Sequence, residues 1–344
     1  MMYSLDEVSI IPSVTTTITS RKEVNPYYSV TKNKKFSPYK NAQIPKNATY
    51  TEDKLPVFVA PMTCLLDKDN FDVFNNKKII PILPVFYKMT MEERIEYLNN
   101  DKWIALSLAD FESVFCTECK YSIENINPIY VCIDTANGHL KDINVVTAYA
   151  KRRFPNLHIM IGNIANPETA LYYNNEVVDY IRVGIGGGSG CTTSVQTGVH
   201  ASLPYLLSEI NKYKKDTLPK IVADGGINTI SKAIKCLALG ADYVMMGYIF
   251  ASCKEVRSYT PDTNHYYGQS SEQGQIDRFG KVKSNPEGLG VVVPRDFNLV
   301  VFCDKFAAAL RSAMSYCNAK TLEEFIGKPK IEYQTLKEFE NYMK

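Results

Sequence analysis

The sequence predicts an α/β fold, a (β/α)8 or TIM barrel, as a single catalytic domain over residues 1–344. Three observations predict it. From residue 55 onward, eight short apolar runs recur. Longer stretches with apolar residues at spacings of three and four separate them. No reversal marks the order of the units, and eight consecutive βα units without one close into a ring more readily than they form an open doubly wound sheet.

The apolar runs cover 55–60, 79–85, 103–108, 129–133, 158–161, 180–183, 220–223 and 243–246. They are short and nearly continuous, as strands covered on both faces should be. Helical spacing appears over 91–98, 142–154, 167–173, 203–213 and 229–239, with Gly240 where a C-cap glycine belongs. The stretch 299–316 reads as the closing eighth helix. Residues 1–50 are a polar arm carrying Lys32, Lys34 and Lys35, expected to cross the bottom of the barrel. Residues 255–295 follow the eighth strand and are rich in Gly, Ser, Asn, Gln and Pro. A connection that long reads as a functional flap.

Composition narrows the function. The net charge is +2, with 45% hydrophobic and 22% charged residues. This is a soluble globular balance that makes no electrostatic case for nucleic acid or an anionic membrane. Nine scattered cysteines favour reduced thiols and a cytoplasmic location over a disulfide framework. No signal peptide is visible at Met1, and no apolar run suits a transmembrane helix.

The chemistry gathers at the strand ends where barrel active sites lie. After the sixth run comes Gly184-Ile185-Gly186-Gly187-Gly188-Ser189-Gly190-Cys191-Thr192-Thr193. The seventh ends in Asp224-Gly225-Gly226, the eighth in Gly247-Tyr248. Glycine turns let main-chain N–H groups approach an anion, and the helix N-termini after the seventh and eighth strands add dipole ends. Three adjacent turns of this kind predict a phosphate cradle. Cys191 sits in the most glycine-dense loop, where its thiol is uncovered, and the thiolate form is a nucleophile. Most other cysteines fall in helical or strand patterns and read as small buried hydrophobes. Cys116 and Cys119 form a CxxC, but no further ligands stand at zinc spacing, so the pair reads as fortuitous.

On these residues the chain resembles the IMP dehydrogenase/GMP reductase family. Leu5-Asp6-Glu7-Val8, Ala60-Pro61-Met62, Asp134-Thr135-Ala136-Asn137-Gly138-His139, Gly162-Asn163 and the cysteine loop carry the likeness, with Tyr266-Tyr267-Gly268-Gln269-Ser270-Ser271 and Asn285-Pro286-Glu287-Gly288 in the flap. The resemblance implies that Cys191 attacks C2 of a purine nucleotide and forms a thioimidate, with Thr193 and Glu287 handling protons. It implies that Asp224 holds the ribose, and that Ser189, Gly226, Gly247, Tyr248 and Tyr266 hold the 5′-phosphate end. Gly268, Gln269, Glu287 and Gly288 would face the base. Asp134, Ala136 and Asn163 would lie toward the nicotinamide of NADPH or NAD. Main-chain carbonyls of Gly184, Gly186 and Cys191 would form a potassium site, and the assembly would be a homotetramer.

Within the family, GMP reductase is favoured. There is no room for inserted CBS modules, and Ala136-Asn137-Gly138, Arg152-Arg153-Phe154-Pro155 and Thr197-Gly198 look like the reductase. Asp277-Arg278-Phe279 and Pro286-Glu287-Gly288 look like the dehydrogenase, except that its Arg-Tyr pair reads Arg278-Phe279 here. Two segments depart from the family: Pro84-Val85 where it has His and a basic residue, and Ser107-Leu108-Ala109-Asp110 after the third strand. Alternatives from other classes are an FMN-dependent barrel enzyme and a non-catalytic nucleotide-binding protein.

Overall fold

Short, buried runs rich in β-branched and aromatic residues form strands because both faces of each can be packed. The computed structural model of the chain describes residues 3–33, 49–117, 121–123, 128–257, 259–286 and 288–334. Eight parallel strands close a barrel: β1 (Val57–Val59), β2 (Ile80–Leu83), β3 (Trp103–Leu106), β4 (Ile129–Asp134), β5 (Leu157–Ile164), β6 (Tyr180–Val183), β7 (Lys220–Asp224) and β8 (Tyr243–Met246). Each pairs with its neighbour in sequence, and Val244 to Met246 of β8 pair with Val57 to Val59 of β1 to complete the ring. Every apolar run read from the sequence is one of these strands.

The outer helices are α1 (Phe71–Asn75), α2 (Met91–Asn99), α3 (Leu108–Phe115), α4 (Lys141–Arg153), α5 (Pro167–Tyr172), α6 (Leu203–Lys212), α7 (Ile230–Ala238) and α8 (Leu299–Tyr316). Side-chain caps start most of them. Thr90, Ser202, Thr229 and Asn298 each accept a main-chain N–H three residues on. Such a cap contributes about 1 kcal/mol. Two helices escape the sequence pattern. Helix α1 is too short to show a period. Helix α3 starts directly after β3, where Ser107 accepts from Asp110 N at 3.1 Å, so the apolar run 103–108 mixes a strand end with a helix start. Cys116 caps the end of α3, and Cys119 lies outside the described residues. The eight described cysteines are free thiols. Among the described residues no helix is long and apolar enough to cross a membrane.

Period-two alternation decides what fills the barrel. At the N-terminal ends of the strands, Phe58, Trp103, Tyr130, Tyr180 and Tyr243 form a floor of rings. Trp103 lies 5.4 Å from Phe58, 5.1 Å from Tyr130 and 5.3 Å from Tyr180, centroid to centroid. The N-terminal arm closes this floor from below. Its strand Tyr28–Asn33 pairs with Thr49–Lys54, and Tyr28 packs 4.9 Å from Tyr243 while its hydroxyl donates to Asp242 O at 3.3 Å. Lys34 and Lys35 lie outside the described residues. Farther along, Val8–Ile11 pairs antiparallel with Lys330–Tyr333.

The flap is ordered despite its polar composition. β9 (Thr263–Tyr267) and β10 (Gly290–Pro294) form an antiparallel pair with a helix, Glu272–Phe279, between them. Buried Gln275 substitutes for a hydrophobic core. Its amide nitrogen donates to Ser270 O and Ser284 O, and its carbonyl accepts from Lys283 N and Ser284 N. Arg278, at the end of the same helix, pins the flap to the barrel by donating to Asp134 Oδ2 and Asp134 O, both at 3.1 Å. Burial works against the charge of Asp134, but Arg278 and Arg182 outweigh it and hold the carboxyl below the usual carboxylate range.

Two outcomes follow from these contacts. Phe58→Ala should remove the centre of the floor and cost about 3–5 kcal/mol, read as a lower urea midpoint with an unchanged slope. Asp134→Asn should destabilise the protein at neutral pH by about 3 kcal/mol. Because the folded pKa is depressed, that deficit should persist above the unfolded value of about 4 and vanish as pH falls through the folded one. Urea titrations of both proteins across that range would show the two stabilities converge, and a constant gap would contradict the pairing.

Candidate active site

The C-terminal ends of β1 and β4 to β8, together with the flap, enclose a cavity of about 400 Å³. Close main-chain approach makes it possible. Gly184 leaves β6 with φ +132°, and a Cβ there would stand 2.0 Å from Asp224 O. Only glycine lets the ends of β6 and β7 meet so closely. Gly226, at φ +73°, would likewise put a Cβ 2.9 Å from Gly187 O. The turn after β7 therefore nests on the cysteine loop. Gly247 at the end of β8 lies beside Met62 and the Tyr266 hydroxyl. Burial pushes the Tyr266 phenol well above its ordinary range, so it is a neutral donor. The helix after β8 is a single turn, Tyr248–Ala251.

Cys191 lines this cavity, alone among the described cysteines. Its N–H donates to Gly188 O at 2.9 Å. Its Sγ stands 3.2 Å from Thr193 Oγ1. Across the loop Cys191 bridges to Gly288, and Leu289 N donates to Gly190 O at 3.0 Å, so the flap backs the cysteine loop. Among the buried thiols, burial pushes Cys64 and Cys132 up to about 12 and Cys303 up to about 11.

Above the aromatic floor, alternation along β6 turns Arg182 into the barrel, where its side chain is 9% exposed. Its Nη1 donates to Asp134 Oδ1 at 2.9 Å, and its Nε and Nη2 donate to Asp224 Oδ2 at 3.2 and 2.9 Å. Asn163 Nδ2 reaches the same Asp224 oxygen at 2.7 Å and Gly184 O at 2.8 Å. Burial opposes the charge of Arg182, but its anionic neighbours, Asp224 first, hold its proton well above the ordinary arginine value.

The structure brings the sequence-identified residues together. Ser189, Cys191, Thr193, Asp224, Gly226, Gly247, Tyr248, Tyr266, Gly268 and Gln269 all line the cavity, as do Asp134, Ala136, Asn163, Gly184 and Gly186. Gly288 stands against Cys191, and Glu287 lies outside the described residues. The Gln269 amide donates to Pro61 O at 2.5 Å, which fixes it at the rim. Ser194 Oγ donates to Gly186 O at 3.3 Å. Arg182, Gln275 and the clamp made by Arg278 were not singled out in the sequence. The available signal was a charged residue within the apolar run 180–183, which demands buried partners. The two unusual segments have structural roles. After β2, Pro84 and Val85 are buried and Tyr87 N donates to Asp277 O at 3.1 Å, which seats the flap helix. After β3, Ser107 caps α3. Phe279, at the cavity edge, carries Lys283 Nζ 4.1 Å from its ring centroid and the Arg278 guanidinium at 5.3 Å.

Comparison with known proteins gives the same direction. The family model for the IMP dehydrogenase/GMP reductase domain matches residues 124–341, more than half of the chain. The chain is 34% identical to inosine-5′-monophosphate dehydrogenase of Chlorobaculum parvum over 216 residues, covering 56% of this chain and 43% of that protein, so it spans less than half of that relative. It is 28% identical to GMP reductase of Staphylococcus saprophyticus over 289 residues, 81% of this chain and 84% of the relative. For GMP reductase of Lactococcus lactis the figures are 27% over 292 residues, 83% and 85%. On the family match, the barrel and the cysteine loop at its mouth, the chain belongs to the IMP dehydrogenase/GMP reductase family.

Proposed function

We propose that the protein is a purine-nucleotide oxidoreductase that converts GMP to IMP and ammonia with NADPH. The observation that carries the reading is the position of Cys191, in a cavity flanked by three glycine turns and 3.2 Å from the Thr193 hydroxyl. The phosphate would meet the main chain of Ser189, Gly226 and Gly247 and the neutral phenol of Tyr266. The ribose would meet Asp224. The Cys191 thiolate would bond to C2, and the 2-amino group would leave with a proton as ammonia. Thr193 holds or moves a proton beside that carbon, and Glu287 is assigned the same task from the flap.

The lining fits a nicotinamide ring, since it includes the apolar Ala136 and Phe279 together with Asp134 and Asn163. A bound nicotinamide supplies the hydride that C2 needs as the sulfur departs. The protein's part is to hold the two reactants together and exclude water. A potassium ion at the carbonyls of Gly184, Gly186 and Cys191 remains part of the proposal. Two of those oxygens already accept one internal hydrogen bond each, and a carbonyl keeps a second lone pair. A homotetramer and a cytoplasmic location belong to the same reading.

The reductase is favoured because the relatives matched over four fifths of the chain carry that name, and because Phe279 lacks the hydroxyl of the dehydrogenase pair. The dehydrogenase reaction, IMP to XMP with NAD, is the second reading, favoured by the 34% identity to a dehydrogenase. A side-by-side assay decides between them. GMP with NADPH should consume the reduced cofactor and release equimolar ammonia. Turnover of IMP with NAD, and none of GMP, would reverse the assignment. Cys191→Ala should lower turnover at least about a thousandfold while nucleotide binding persists. Replacing potassium by sodium should lower the rate if the carbonyl site is used, and an unchanged rate removes the ion from the reading.

A further inference from the structure

Arg182 stands at a barrel position whose inward-facing neighbours are apolar or weakly polar: Val222, Met245, Met160 and Cys132. A guanidinium there gives up water, and the fold compensates it with two carboxylates rather than one. The distribution of its bonds is uneven. Nε and Nη2 both fall on Asp224 Oδ2, and Asn163 adds a third donor to that same atom. Three donors saturate the oxygen and stop the carboxylate from rotating. Oδ1 of Asp224 has no protein donor among the described residues, and Asp224 lines the cavity. One oxygen is consumed by the scaffold and the other is kept for a ligand.

We propose that Arg182 is a positioning residue that makes the site selective for ribonucleotides, by turning Asp224 so that Oδ1 meets the vicinal hydroxyls of the sugar. The inference rests on the reading that the cavity binds a purine nucleotide. Arginine is required because its planar fork serves Asp224 and Asp134 at once. A lysine supplies the charge at a single point and leaves Asp224 free to swing.

Equilibrium calorimetry with GMP and with 2′,3′-dideoxy-GMP, without cofactor, tests this independently of turnover. The wild-type protein should prefer GMP by about tenfold or more, since each lost hydroxyl removes a hydrogen bond to a charged group. In Arg182→Gln the preference should fall to about twofold or less, while the affinity for the dideoxy compound stays within about twofold of wild type. Arg182→Lys should fall between them, and circular dichroism checks that each variant is folded. If the glutamine variant does not fold, the lysine variant decides alone. A wild-type preference that survives either folded substitution overturns the proposal. So does equal weakening of both ligands, which is what a purely structural role produces. A wild-type protein that binds neither compound refutes the nucleotide reading itself, whereas one that binds GMP with a preference indifferent to Arg182 refutes only the positioning role.

Discussion

A single buried cation organises the mouth of this barrel. Arg182 is the only point at which β4, β6 and β7 are joined by side-chain charge among the described residues: Asp224 ends the adjacent strand β7, and Asp134 ends β4, on the far side of β5. Each partner then serves something else. Asp224 faces the cavity next to the glycine turns, and Asp134 receives the flap through Arg278. The cation, the cavity-facing carboxylate and the flap are therefore one electrostatic unit. Its charges balance, two guanidinium groups against two carboxylates, and this is what allows so much charge to sit in a well-packed barrel.

The flap shows a second way of holding polar chain in place. Its strands carry exposed Val291 and Val292, and little apolar surface is buried beneath the helix. Order comes from Gln275, whose carboxamide closes main-chain groups on both sides of the turn. Segments secured by hydrogen bonds rather than by apolar area sit at the low end of local stability.

Much of the fold was legible in the sequence, because burial on both faces leaves a plain mark in apolar runs such as 129–133 and 180–183. The barrel's closing helix, Leu299–Tyr316, could be read to its ends. Its length gives the period room to show, and Asn298 caps its start. Helices α1 and α3 were not legible, the first for lack of length and the second because no polar gap divides it from β3. Of the site, the cysteine loop and the glycine turns were plain, since residue type alone restricts the conformations available there. Arg182 was overlooked because its meaning lies in partners 48 and 42 positions away, and only closure of the ring brings them to it. The roles of Pro84-Val85 and Ser107 were also hidden. Both stood out only as departures from the family pattern, and in the structure both serve the scaffold.

The aromatic floor has a bearing on traffic. Rings from five strands, with Tyr28 laid beneath, make the barrel a blind well rather than a tube. Among the described residues, these packed rings fill the lower end of the barrel. Whatever reaches the sulfur of Cys191 must descend past the overhanging hairpin and depart by the same route, so two molecules sharing the well must take turns at one doorway.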